Sequence, residues 1–378
     1  MGSTETERRS PSDAIAPTRV AFRLPDLARH LALAGKFAAI ATTLEALHLT
    51  GAARLAPARL RGRGAILTLH HVRPFEAGRF HASAHLEITP DFLDALIARL
   101  KHRGYEVIPL ADVPARLAAP EGGPRFVALT LDDGYRDNLV HALPVFERHG
   151  VPFTVFATSG FVGRDRTVWW LTLERLVAAR DEIAWDTGDS HLRFACSSHR
   201  AKAMTFRRIV DWMNGVDEDW AVATLDRVAG QHGLSATDIT AEAVMDAEEL
   251  RRLARSPLAT IGAHTWSHVN LRRVSRDRLV DEIERGTEEV GALLGTRPTL
   301  FAYPYGSRDS AGAREFTAAG GFDLAVTTRP GTLKPRDLGR RAALPRISVN
   351  GLFQHPAWVE VLLSGLAFEL LPRRDDLD

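Results

Sequence analysis

The sequence predicts an α/β fold built on a parallel sheet or barrel and broken by a helical insertion. Three observations carry this. From residue 64 onward short apolar runs alternate with stretches of helical periodicity, the rhythm of βα units. The rhythm pauses between about residues 163 and 257, a stretch of helical pattern holding five of the seven tryptophans: Trp169, Trp170, Trp185, Trp212 and Trp220. Four polar clusters fall where strands are expected to end, the position at which α/β folds gather their functional groups.

The elements follow in order. Ala65–Leu69 reads as a strand ending in His70-His71. Pro90–Leu100 reads as a helix with Thr89 as N-cap, proline in the first turn and an apolar stripe of Phe92, Leu93, Leu96, Ile97 and Leu100. Strands are expected at Tyr105–Leu110 and Phe126–Leu131, the latter running straight into Asp132-Asp133-Gly134. A helix at Asn138–His149, stopped by Gly150, precedes a strand at Val151–Ala157. After the insertion come a strand at Ala259–Gly262, a helix at Arg276–Leu294 and a strand at Phe301–Tyr303. A helix at Ser310–Ala319, strands at Phe322–Thr327 and Leu344–Val349, and an amphipathic helix at Val359–Leu371 complete the chain.

Composition narrows the class. The chain has 378 residues, 45% hydrophobic and 25% charged, an ordinary balance for a globular protein with a sizeable core. A net charge of +1 spread along the chain excludes nucleic-acid binding driven by bulk charge. Arg54, Arg59, Arg61 and Arg63 form one local basic patch, read as a solvated linker. The lone Cys196 excludes an intrachain disulfide or a cysteine metal cluster. Residues 1–26 read as a disordered segment without the order of a secretory signal. Residues 27–63 read as a helical extension whose amphipathic part rests on the domain or on a membrane surface, the first being preferred. The apolar stretch Phe37–Leu44 is far too short to span a bilayer. A cytoplasmic protein, at most peripheral to the inner membrane, is expected; the oligomeric state is not legible.

The chemistry lies in the strand-end clusters. His264 and His268 stand four apart in Gly-Ala-His-Thr-Trp-Ser-His. If the segment makes one helical turn, both rings point to one side. Two imidazoles and a carboxylate, for which Asp133 is the natural candidate, bind a divalent cation and leave positions open for water and substrate. Adjacent Asp132 and Asp133 point in different directions, so one can bind metal while the other faces a reacting water. His70 and His71 can supply a general acid, a strand-end histidine satisfied by backbone being the competing reading, and the residues alone favour neither. No Gly-x-Ser-x-Gly elbow, phosphate-binding glycine loop or His-Glu-x-x-His is present.

Thr130-Leu131-Asp132-Asp133-Gly134, His264-Thr265-Trp266-Ser267-His268 and Tyr303-Pro304-Tyr305-Gly306 resemble, in order and spacing, the first three signature motifs of the polysaccharide deacetylases, carbohydrate esterase family 4. The resemblance covers about residues 64–350. It implies a distorted (β/α)7-type barrel, into which the pattern places the helical insertion at about 163–257 and after which it places a C-terminal helix and tail over 351–378. It implies a hydrolase that removes N-acetyl groups from an amino-sugar glycan, with a divalent metal, most often zinc (cobalt, nickel, manganese or iron being alternatives). Asp132 would be the base, Asp133, His264 and His268 the metal ligands, and the Tyr305 N–H an oxyanion donor. Two departures stand out. Ala302 occupies the place of the family's arginine, two residues before the motif proline, and Leu344-Pro345-Arg346-Ile347-Ser348 lacks the late histidine. Both resemble a subgroup in which the acid comes from an N-terminal strand end, which assigns that role to His70 and offers Arg346 for the missing arginine. Tyr303 and Pro304 are expected to touch substrate; Trp169 and Trp170 are candidates for stacking on sugar faces, core packing of the inserted helices being the preferred reading. A deformylase-type amide hydrolase on a lipid-linked sugar and a glycan-binding pseudoenzyme are the rival functions.

Overall fold

The computed structural model describes residues 18–19, 24–120, 122–187, 191–306 and 311–371. Most of the segment expected to be disordered, and the last residues of the tail, lie outside the described residues.

Seven parallel strands form the centre: β1 (Gly64–Leu69), β2 (Phe126–Leu131), β3 (Phe153–Ala157), β4 (Ala259–Ala263), β5 (Leu300–Ala302), β6 (Leu324–Pro330) and β7 (Leu344–Ser348). They pair in chain order, and β1 pairs with both β2 and β7, so the sheet closes into the expected (β/α)7 barrel. The barrel is uneven. β4 and β5 share a single register pair, Ala263 with Phe301, and the β6–β7 register shifts between Val326 and Pro330.

Side-chain alternation sorts the strands into two faces. Ile66, Ala128, Phe156, Ala302, Val326 and Leu344 pack together inside the barrel. Their neighbours Leu67, Leu129 and Val155 face outward beneath the helices. Gly262 belongs to the inner set, and a Cβ there would meet the Phe156 ring at 2.5 Å.

Among the described residues the α-helices of seven residues or more are α1 (Leu24–Leu49), α2 (Pro90–His102), α3 (Leu143–His149), α4 (Trp169–Ala179), α5 (His199–Asn214), α6 (Glu218–Gln231), α7 (Ala236–Ala243), α8 (Ala247–Ala254), α9 (Arg276–Leu294), α10 (Ala311–Ala319) and α11 (Pro356–Leu363). α2 starts as its sequence predicts: the Thr89 side chain accepts the Phe92 N–H at 3.1 Å, and the whole apolar stripe is buried. α1 lays Leu44 and Leu47 against Val361 and Ala367. Among the described residues no helix is long and apolar enough to cross a membrane.

Several elements differ from the sequence reading. The strand expected at Tyr105–Leu110 is only Glu106–Val107, paired with β2, because Pro109 has no N–H to continue a ladder. The helix expected from Asn138 opens as a π-turn, Asn138–Ala142, where Pro144 withholds its N–H, and becomes α-helical as α3. The insertion is not wholly helical: Glu182–Asp186 and His191–Ala195 form an antiparallel pair that buries Ile183 and Trp185. The single C-terminal helix is α11 plus a short turn, Ala367–Leu370. Between them Gly365, at φ 74°, lies so close to Leu60 that a Cβ would sit 2.1 Å from its carbonyl oxygen. The basic stretch read as a linker is two short helical turns, Ala52–Leu55 and Ala58–Arg61, with Arg63 donating to the carbonyls of Ala119 and Pro120.

Candidate active site

The inward alternation continues one residue past each strand. It carries His70 after β1, Asp132 after β2, Thr158 after β3 and His264 after β4 to the same C-terminal mouth, with Arg346 inward on β7. Among the described residues, four of the five non-glycine residues with positive φ cluster here: Asp133, Thr265, His268 and Tyr305. Such strain, about 1–3 kcal/mol at each position, persists only where the surroundings enforce it and collects at functional sites.

Asp133, at φ 74°, turns its carboxylate towards both histidines. Its Oδ1 lies 3.4 Å from His264 Nε2 and 3.2 Å from His268 Nε2, and all three residues are buried. His264 Nδ1 is 2.7 Å from the Ala302 carbonyl oxygen. A carbonyl only accepts, so Nδ1 carries the proton and the Nε2 lone pair faces the carboxylate. Asp133 Oδ1 is accordingly buried without a hydrogen-bond donor. Acceptors converging in this way fit a small divalent cation with nitrogen and oxygen ligands.

The two histidines do not share a helical turn. Thr265 (φ 62°) and His268 (φ 60°) bend the loop instead, and the Thr265 hydroxyl accepts the His268 N–H at 3.0 Å. The loop is pinned by Glu282 of α9, which is fully buried. Its carboxylate accepts the Ser267 N–H at 2.8 Å and hydroxyl at 2.6 Å, and its backbone carbonyl accepts the Trp266 N–H at 3.0 Å. Gly286, one turn on, lets α9 close in: a Cβ would lie 2.4 Å from the Thr265 carbonyl carbon. Sequence reasoning missed Glu282, which reads there as one more surface acid of an amphipathic helix.

Asp132 is held differently. Arg346 donates through both terminal nitrogens to its two oxygens, at 2.8 and 2.7 Å, and through Nε to the Thr327 carbonyl at 2.9 Å. Burial pushes the Asp132 carboxyl up, and the Arg346 charge and hydrogen bonds bring it below its ordinary value. Its oxygens retain lone pairs for a further proton.

His70 and His71 separate cleanly. His70 is half-buried on the inward parity beside both aspartates; burial lowers its pKa while Asp133 and Asp132 pull it up. His71 faces away, fully buried, with Nδ1 2.5 Å from Asp137 Oδ2 and its ring stacked on Tyr135 at 3.5 Å.

Tyr305, at φ 56°, sets its ring 5.1 Å from His268 and is 38% exposed, forming a wall of the mouth. The insertion reaches this wall: Trp169 Nε1 donates to the Tyr305 hydroxyl at 3.2 Å, and that hydroxyl donates to Glu218 at 3.2 Å. Trp170 is buried behind His268, its Nε1 donating to the Tyr135 hydroxyl at 2.8 Å, so it packs as core. Tyr303 differs from expectation. Its place on the outward face sends the ring against Phe301, and the hydroxyl donates to the Ala342 carbonyl at 2.9 Å. Pro304 is buried beneath Tyr305. A second acidic group, His81, Glu87 and Glu174, is neutralised by Arg73 and Arg79.

Residues 119–320 match the family model for polysaccharide deacetylase. Among solved structures, the chain is similar to the Streptococcus pyogenes deacetylase PplD in complex with acetate: 16% identity, TM-score 0.51, covering 76% of this chain and 92% of that one. It is likewise similar to IcaB from Ammonifex degensii: 19% identity, TM-score 0.51, covering 80% and 97%. No curated protein matches it significantly.

Proposed function

The chain belongs to the polysaccharide deacetylase family, and on that premise we propose that it hydrolyses the N-acetyl amide of amino-sugar units in a glycan, with a divalent metal, zinc by preference. One observation carries the reading: two imidazole nitrogens and a donor-less carboxylate oxygen of Asp133 converge at the barrel end where arginine-clamped Asp132 stands.

Asp133, His264 and His268 would hold the metal, which when bound supplies Lewis-acid polarisation of the amide carbonyl and acidifies water. Asp132 takes the proton of the attacking water as its oxygen bonds to the carbonyl carbon. Arg346 keeps that carboxylate ionised and aimed. The Tyr305 N–H donates to the oxyanion as it develops. His70 gives a proton to the departing amine, the C–N bond breaks, and acetate and a free amino sugar leave. Trp169 and Tyr305 offer apolar faces on which a sugar ring can lie.

The glycan-binding alternative drew its support from the arginine and histidine missing at their usual positions. The Arg346 clamp and the placement of His70 beside the aspartates argue against it. The test is acetate release from a panel of N-acetylated glycans, with and without chelator and restored zinc. Chelator-sensitive release is expected. Metal-loaded protein that frees formate or another acyl group in place of acetate would transfer the reading to a deformylase-type hydrolase.

A further inference from the structure

The barrel has a second polar feature at its other end. Where β1 and β2 begin, a crevice of about 230 Å³ opens between the end of α1, α11 and the barrel. Arg54, Arg61, Arg103 and Arg125 line it, together with Tyr105 and His48. The carboxylate in its wall, Glu360, is already shared by Arg99 at 2.8 Å and Arg103 at 2.6 Å. Arg125 donates to Tyr105 and to the Leu363 carbonyl, and its Nε has no partner. Arg54 and Arg61 make no ion pair among the described residues. Burial, and in smaller part the charge of Arg61, disfavour the Arg125 cation. Guanidinium groups crowded in this way with one spent carboxylate fit an oxyanion, and phosphate above others, because the fork of each arginine matches its oxygens.

The rim adds a second requirement. Leu49 is 74% exposed and Leu55 85%, and they flank His48 and Arg54 of the lining. A free phosphate would use the arginines and leave both leucines in water. A bilayer of anionic phospholipid uses all of them, with headgroup phosphate in the crevice and leucines at the acyl boundary. We propose that this end of the barrel docks on an anionic membrane surface. The docked protein turns Asp132 and the histidine pair away from the bilayer, towards glycan in the aqueous phase. The proposal does not depend on the reaction assigned above.

The full chain is tested by co-sedimentation with vesicles of phosphatidylcholine alone and of phosphatidylcholine mixed with phosphatidylglycerol. Two variants accompany it: Arg54→Gln with Arg61→Gln, and Leu49→Ser with Leu55→Ser. All four positions lie at the surface or half-buried, and thermal melts check the fold. Binding is expected to the anionic vesicles, weakened about tenfold to thirtyfold by the arginine pair and several-fold by the leucine pair. Binding that survives the arginine substitutions, or no vesicle binding at all, overturns the proposal. Calorimetric titration with inorganic phosphate separates the remaining source: phosphate uptake lost in the arginine variant, without vesicle binding, makes the crevice a soluble-anion site and overturns membrane docking.

Discussion

Arg346 and Asp132, 214 residues apart in sequence, meet through two parallel hydrogen bonds of 2.8 and 2.7 Å inside the barrel mouth. The pair is buried, so its members are not separable: removing the arginine side chain would strand a buried carboxylate, a loss of about 3–5 kcal/mol. Arg346→Lys keeps a charge but not the fork. Turnover is expected to fall on the order of a hundredfold while bound zinc, measured by elemental analysis, stays equal to wild type. Near-normal turnover in this variant would remove Arg346 from the mechanism.

Asp132 and Asp133 are adjacent yet predicted to fail differently. Asp132→Asn should abolish most turnover with metal retained, because its carboxylate meets Arg346 rather than the histidines. Asp133→Asn, His264→Gln and His268→Gln should each lose metal. In wild type, zinc at about a hundred times its dissociation constant should stabilise the fold by about 2.7 kcal/mol, a shift readable by thermal melting and absent from those three variants. An Asp132→Asn protein with near-normal turnover and bound metal would sink the base assignment.

The barrel was legible because its signals are local. The apolar run Phe126–Leu131 and the Thr89 cap specify their elements within a few residues. The strand-end motifs were legible for the same reason: alternation along β1 and β2 sends His70 and Asp132 inward once the strand is known. What stayed hidden depends on partners distant in the chain. Glu282 looks like a solvent-facing acid until α9 packs on the histidine loop. Tyr303 looked like a site residue because it lies in a motif, yet its outward parity, readable from Phe301, turns it into the helix layer. The pair Glu182–Asp186 and His191–Ala195 was missed although Ile183 and Trp185 alternate with exposed Glu182 and Ala184. The helical pattern on either side masked a period of two.

Glu282 leads to a third prediction. It accepts both polar hydrogens of Ser267 and the Arg278 Nε–H at 2.9 Å, fixing the backbone immediately before His268. Glu282→Gln keeps volume but must turn a donor towards one of these donors. Partners that orient ligands are worth roughly tenfold to a hundredfold in metal affinity. Zinc affinity by competition with a chromophoric chelator should fall by that factor, while Glu284→Gln, on the same helix, should leave it unchanged. Equal affinities for the two variants would show that the loop holds its shape without this anchor.

Asp226 of α6 lies in the insertion, away from the metal ligands. Its Oδ2 accepts the Thr167 hydroxyl at 2.8 Å, whereas Oδ1 is buried without a partner. Burial pushes its carboxyl up from 3.8 to about 6, against the smaller opposing effect of Thr167. The folded state therefore holds a proton that the unfolded chain releases between 3.8 and about 6. Stability contributed at this position falls as pH rises through that window, and the cost is fully present at neutral pH. Asp226→Asn removes the titration and can keep the Thr167 hydrogen bond. The variant should be more stable than wild type by about 3 kcal/mol at about pH 7.5, with the gain shrinking towards about pH 4.5. Urea unfolding at the two pH values measures both numbers. A gain that is the same at both, or a loss at neutral pH, would mean that Asp226 is ionised and satisfied in the folded protein.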